Sequence, residues 1–164
     1  MQAITVANQV KGFTNMKAKL LLLLASASIL WAESCTRTAN EPIPTGPVNI
    51  TLDLNLADYQ ALIVPGNFVY VEGGVKGVLV MHDYDDNWHA FERTCAWEPL
   101  NACSKIWVDT AGIQLRCGNP TGSGFVKCCE SQYYFNGFPS KGPARGSLAR
   151  YRISRIGNLL QVYN

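Results

Sequence analysis

Gly77-Val78-Leu79-Val80-Met81-His82 runs into Asp83-Tyr84-Asp85-Asp86-Asn87, and that polar stretch runs into Trp88-His89-Ala90-Phe91-Glu92-Arg93-Thr94-Cys95-Ala96-Trp97. Short runs rich in valine and aromatics on either side of a polar loop predict two strands, Gly77 to His82 and Trp88 to Glu92, joined as a hairpin. The same pattern extends in both directions. Upstream, Ile50-Thr51-Leu52-Asp53-Leu54 alternates, and strands are expected over Ala61 to Val64 and Phe68 to Val71 around the turn Pro65-Gly66-Asn67. Downstream, Lys105 to Val108 and Ile113 to Arg116 flank Asp109-Thr110-Ala111-Gly112, where Gly112 is expected to supply a positive φ. Gly118 to Gly124 reads as a loop, and Leu148 to Ser154 and Asn158 to Tyr163 as a closing hairpin around Arg155-Ile156-Gly157. No long helical periodicity or internal repeat interrupts this series. The fold class is therefore all-β, short antiparallel strands in a sandwich or partly open barrel spanning residues 49–164.

Before the domain lies a different kind of sequence. Met16-Lys17-Ala18-Lys19 is short and basic, Leu20 to Leu30 is apolar, and Ala32-Glu33-Ser34-Cys35 places a cysteine at its end. The apolar run is too short for a membrane span, which needs about 20 residues. Its layout is that of a bacterial signal peptide with a lipobox, which makes Met16 the expected start, residues 1–34 upstream and signal sequence, and Cys35 the lipidated residue. Residues 35–48, with Pro42, Pro44, Gly46 and Pro47, read as an extended, mobile tether. The expected location is the bacterial cell envelope, with the membrane as partner through the lipid on Cys35.

The 164 residues carry 14 basic and 12 acidic side chains; Lys11, Lys17, Lys19 and Glu33 precede Cys35, leaving eleven of each in the mature chain. A neutral chain without a basic stripe has no electrostatic footprint for nucleic acid. Nor is there a phosphate loop or an arrangement of nucleophile, base and orienting acid, so no catalytic activity of the chain alone is expected.

The approach Gly77 to Trp97 resembles the first cluster-binding loop of Rieske proteins. Gly137-Phe138-Pro139-Ser140-Lys141-Gly142-Pro143-Ala144, followed by Leu148 and Tyr151, resembles the segment after their second loop. The likeness covers roughly residues 48–163 and implies a Rieske-like fold. In that family the loops C-x-H and C-x-x-H-G-S-x-F hold a two-iron two-sulfur cluster, two cysteines on one iron and two histidines on the other. Here the first loop reads Cys95-Ala96-Trp97, and an indole nitrogen has no lone pair for a metal. Counting back without gaps from Gly137 sets Tyr133 on the family phenylalanine, Ser131 on the serine, Cys129 on the histidine and Val126 on the cysteine. Counting from Cys128 as ligand instead sets Ser131 on the histidine and Phe135 on the phenylalanine. Both registers lack the histidine, and the ungapped match through Gly142-Pro143-Ala144 favours the first.

Cys95, Trp97, Cys128, Cys129 and Ser131 therefore mark degenerate cluster loops. His82 and His89 lie upstream of the loop tip and read as surface or strand residues, with no ligand role. Since Rieske loops face one another and some members pair a cysteine from each, the resemblance implies disulfides from Cys95 or Cys103 to Cys128 or Cys129. Cys117 is then free, or paired with Cys103 across the Asp109–Gly112 turn. Such a staple, in an exported chain, contributes roughly 3 to 4 kcal/mol in the chain-entropy model. An all-cysteine cluster held by four thiolates is the alternative cofactor arrangement; no cofactor or metal is favoured. Trp97 and Tyr133-Tyr134-Phe135 flank the former cluster position and are candidates for an apolar contact surface, with a protein of the cell envelope as the partner class. The expected function is a structural or binding module, and the alternative is electron transfer through a cluster in an altered site.

Overall fold

The computed structural model describes residues 42–109, 111 and 113–164. Cys35, Met16 and the apolar run Leu20 to Leu30 lie outside the described residues, as does Gly112. Ten strands are described: β1 Asn49–Asp53, β2 Phe68–Val71, β3 Val78–His82, β4 Trp88–Glu92, β5 Ile106–Asp109, β6 Gln114–Thr121, β7 Gly124–Tyr133, β8 Pro139–Lys141, β9 Arg150–Ile156 and β10 Leu159–Tyr163. They form two antiparallel sheets, one in the order β1-β10-β9-β4-β3-β2 and one in the order β5-β6-β7-β8. The all-β expectation holds.

Strand β3 explains why the decisive run is apolar without alternation. Every residue from Val78 to His82 is buried. Val78 and Val80 point into a core with Leu52, Leu62, Ala90, Leu160 and Val162. Leu79 and Met81 point the other way, into a core with Phe91, Ile106, Leu115 and Tyr133. Because successive side chains of a strand face opposite sides, a strand covered on both faces has no polar register to keep.

The small sheet is pinned to the large one by Arg93, which leaves β4 buried. Its guanidinium lies 3.7 Å from the centre of the Tyr70 ring on β2 and 4.1 Å from that of Trp107 on β5, while Nε donates to the Ile106 carbonyl at 3.1 Å. Two aromatic faces offset part of the cost of taking the arginine's charge out of water. The Val108 N–H donates to Tyr70 Oη at 2.9 Å, closing the same junction.

Several local expectations are corrected. Residues Gln60–Ile63 are a 3₁₀ turn rather than a strand: Leu62 N–H donates to the Tyr59 carbonyl and Val64 N–H to that of Ala61. Of the expected strand only Leu62 is buried, with Ile63 and Val64 exposed, which suits a turn dipping one residue into the core. Gly118 to Gly124 is no loop, since β6 and β7 pair through Thr121 and Gly124. The end of the expected tether is packed on the domain at Ile43 and Val48. Ile43 and Val48 enter the two cores, and Asn164 ties the segment by accepting from Val48 N–H and donating to the Gly46 carbonyl. Between β5 and β6, Ile113 takes a positive φ of 50°.

Candidate functional site

The site is built where β6 and β7 stop matching. Their ladder pairs Leu115 with Tyr133 and Arg116 with Gln132, then resumes at Gly118 with Lys127. Between these pairs Cys117 alone on β6 faces Cys128, Cys129, Glu130 and Ser131 on β7. The expected second loop is thus a wide bulge inside a strand, and bulges re-aim side chains that a regular ladder would alternate. Gly142, at φ 97°, lies against the backbone of Glu130 and Ser131 so closely that no side chain fits there. Ser131, buried, accepts from Ala144 N–H through Oγ at 3.1 Å and so anchors the bulge to the chain after β8.

Opposite the bulge, the segment from Thr94 to Lys105 is closed by a bridge between those two residues. Lys76 holds it from beneath, its Nζ donating to the carbonyls of Pro99 at 2.9 Å, Asn101 at 2.6 Å and Ser104 at 2.9 Å. Ser104 Oγ donates to the Trp97 carbonyl at 2.8 Å. An ammonium has three donors, and all three are spent on this turn, so Lys76 sets its shape.

Five cysteines meet here. Cys103 and Cys128 form a disulfide across the two segments, with Cα atoms 5.4 Å apart. Cys95 and Cys117 are buried and Cys129 is half-buried; none of the three is in a disulfide. Their sulfurs all lie within 4.8 Å of one another, with 3.9 Å between Cys95 and Cys129. The disulfide is one of the cross-segment pairings expected, and of the two expectations for Cys117 the free thiol is the one observed. Cys117 is not paired with Cys103, because the register sets it opposite Ile106 and its side chain enters the core. A four-thiolate cluster loses Cys103 and Cys128 to their mutual bond.

Polar hydrogens converge on these sulfurs. Trp97 N–H lies 3.5 Å from Cys95 Sγ and Ser131 N–H 3.4 Å from Cys129 Sγ. Tyr133 Oη, fully buried, accepts from Ala96 N–H at 3.2 Å and lies within hydrogen-bond reach of Cys95 Sγ at 3.4 Å. Hydrogen bonds to a sulfur favour its charged form. The three thiols share charge unevenly. Hydrogen bonds from Cys117 and Cys95 hold the Cys129 thiol far below its ordinary range. Cys117 is pushed far above it by Cys129, then by Cys95 and by burial. For Cys95 the largest influence, the bond with Cys117, lowers the value, but Cys129 and burial together outweigh it. Tyr133 is raised by burial and then by Cys95.

The remaining sequence candidates lie elsewhere or serve packing. His82 and His89 are on strands, as expected, but buried rather than at the surface, and each is spent on an acid. His82 Nε2 meets Asp86 at 2.6 Å and its Nδ1 the Leu62 carbonyl at 3.0 Å; His89 Nε2 meets Asp83 at 2.7 Å. Trp97 is half-buried against the core that holds the sulfurs, while Tyr134 is exposed. Sequence reasoning missed Cys117 as a member of the cluster and Tyr133 as its polar neighbour. Cys117 lies opposite the bulge and Tyr133 just beyond it, on strands whose pairing is not written in the residues.

A Rieske centre does not fit this donor set. Among the described residues, the group of potential ligands gathered here is three sulfurs, with no histidine, whereas the two-iron centre divides two cysteines and two histidines between its irons.

No protein-family model matches the chain, and no curated protein matches it. Among solved structures it is similar to the ferredoxin of carbazole 1,9a-dioxygenase from Nocardioides aromaticivorans IC177, at 16% identity and a TM-score of 0.42, over 71% of this chain and 96% of that one. A superposition of that quality carries no argument about function.

Proposed function

We propose that this is a lipid-anchored protein of the bacterial cell envelope whose domain is a Rieske-type domain without the standard cluster, serving as a structural or binding module. The observation that carries this reading is the Cys103–Cys128 disulfide beside Cys95 and Cys129. A covalent staple and buried thiols stand together between the segments that resemble the two cluster loops. The signal sequence and Cys35 supply the export and anchor, and an oxidising compartment suits the disulfide.

Two measurements on the native and Cys35→Ala proteins test it. Native protein is expected in the membrane fraction, and the variant released from it or left unprocessed. Anaerobic reconstitution with iron and sulfide is expected to leave no stable, stoichiometric centre in absorption or electron paramagnetic resonance spectra. Unchanged membrane association of the variant removes the anchor, and a reducible centre lost with Cys95→Ser turns the assignment to electron transfer.

A further inference from the structure

Three sulfurs within 4.8 Å of one another, two of them buried, are an odd number that disulfide pairing cannot consume. Thiolates are soft donors and select Cu(I), Zn(II) or iron-sulfur clusters over hard cations. A metal bound at about 2.3 Å to each of three sulfurs spaces them about 3.8 to 4.0 Å apart, and Cys95 and Cys129 already stand 3.9 Å apart. The ligands are held by three independent elements: the turn after β4 for Cys95, β6 for Cys117 and the β7 bulge for Cys129. Trp97 N–H, Ser131 N–H and the Tyr133 hydroxyl are placed as outer partners of the sulfurs.

Coordination number chooses the ion. Zinc favours four ligands. Among the described residues the gathered group is three sulfurs with no fourth carboxylate, imidazole or thiol, and Glu130, which borders the recess over Cys117 and Cys129, is paired with Lys127. Tyr133 Oη is occupied by Ala96 N–H and Cys95. We propose that Cys95, Cys117 and Cys129 form a site for one Cu(I) ion held by three thiolates. On loading, three sulfur–copper bonds form and each S–H that ionises releases its proton to solvent; no electron moves. Three thiolates and one Cu(I) leave negative charge at the site, which the N–H groups of Trp97 and Ser131 partly offset. This inference goes beyond the function proposed above and does not need the lipid anchor.

The test is anaerobic titration of the full-length protein, its Cys103–Cys128 bond intact, with Cu(I) in competition with a chromogenic chelator. One equivalent is expected to bind, with an ultraviolet thiolate-to-copper band and X-ray absorption showing three sulfur neighbours. Because loss of outer partners alone typically costs metal sites about 10- to 100-fold in affinity, loss of a direct ligand in Cys129→Ser should cost about 100-fold or more. Cys129 is the least buried of the three, so this variant is the one least exposed to a folding defect; far-ultraviolet circular dichroism checks that it folds. The double variant Cys103→Ser, Cys128→Ser should keep the copper. Affinity unchanged in Cys129→Ser, a preference for Zn(II) over Cu(I), or a Cys95–Cys129 disulfide in the protein as isolated would each overturn the assignment.

Discussion

The two faces of β3 look into cores of different chemistry. On one side, Val78 and Val80 meet Leu52, Leu62, Leu160 and Val162, with Tyr151 among otherwise aliphatic neighbours. On the other, Leu79 and Met81 meet a core that includes Cys95, Cys117 and Tyr133, bordered by Cys128, Cys129 and Trp97. Apart from Tyr151, whose hydroxyl donates to Glu92, the first face buries groups with nothing to do but leave water; the second buries several groups that must find partners, since a buried polar atom left alone costs more than its bond returns. The first fixes the fold, and the second uses the fold to hold a reactive set. Substitutions should therefore cost stability on either side of β3 but alter thiol chemistry on only one.

Tyr133→Phe sharpens that contrast most. The ring stays buried, but Ala96 N–H loses its acceptor and Cys95 its hydrogen-bond partner at the phenol oxygen. A loss of about 1 to 3 kcal/mol is expected in urea unfolding, read as a lower midpoint with an unchanged slope. An unchanged midpoint would mean that the phenol merely fills space.

A smaller effect is expected on the large sheet, at the tip of the β3–β4 hairpin. Asp83 accepts from Asp85 N–H at 2.9 Å, Asn87 N–H at 2.8 Å and His89 at 2.7 Å. Burial pushes its carboxyl up, but the Asn87 N–H, His89 and the Asp85 N–H outweigh that and hold it below the ordinary carboxylate range. A carboxyl lowered in the folded state stabilises above its unfolded value, and that contribution fades as pH falls through the folded one. Asp83→Asn should therefore cost about 1 kcal/mol at neutral pH, with the difference from the native protein shrinking below about pH 4. A difference independent of pH would assign the hairpin's stability to geometry alone, and none of it to the charge.

Much of the strand order was legible because patterns with period 2 and polar turns are local: β1, β2, the β3–β4 pair and the closing β9–β10 pair fall within a few residues of where the runs of valine, leucine and aromatics put them. What could not be read locally was what depends on a partner. Cys128 to Ser131 look like a loop beside a ligand motif, but they are a bulge because β6 supplies one residue opposite their four. Whether Cys117 is free or hairpin-paired cannot be read until the register of β5 and β6 turns it inward, where it is free. Ile43 and Val48 look like a tether among prolines until Asn164, 116 residues beyond Val48, supplies the hydrogen bond that fastens them. The disappearance of the histidine ligands, by contrast, is plain in Cys95-Ala96-Trp97.

The central claim is that one disulfide and three gathered thiols occupy the place between the two loop-like segments. Non-reducing peptide mapping of protein isolated under native conditions, with alkylation after denaturation and chelation, tests it most directly. The account predicts a single linked pair, Cys103 with Cys128, and alkylated Cys95, Cys117 and Cys129. A link between Cys95 and Cys129, or Cys103 and Cys128 recovered as free thiols, would contradict it.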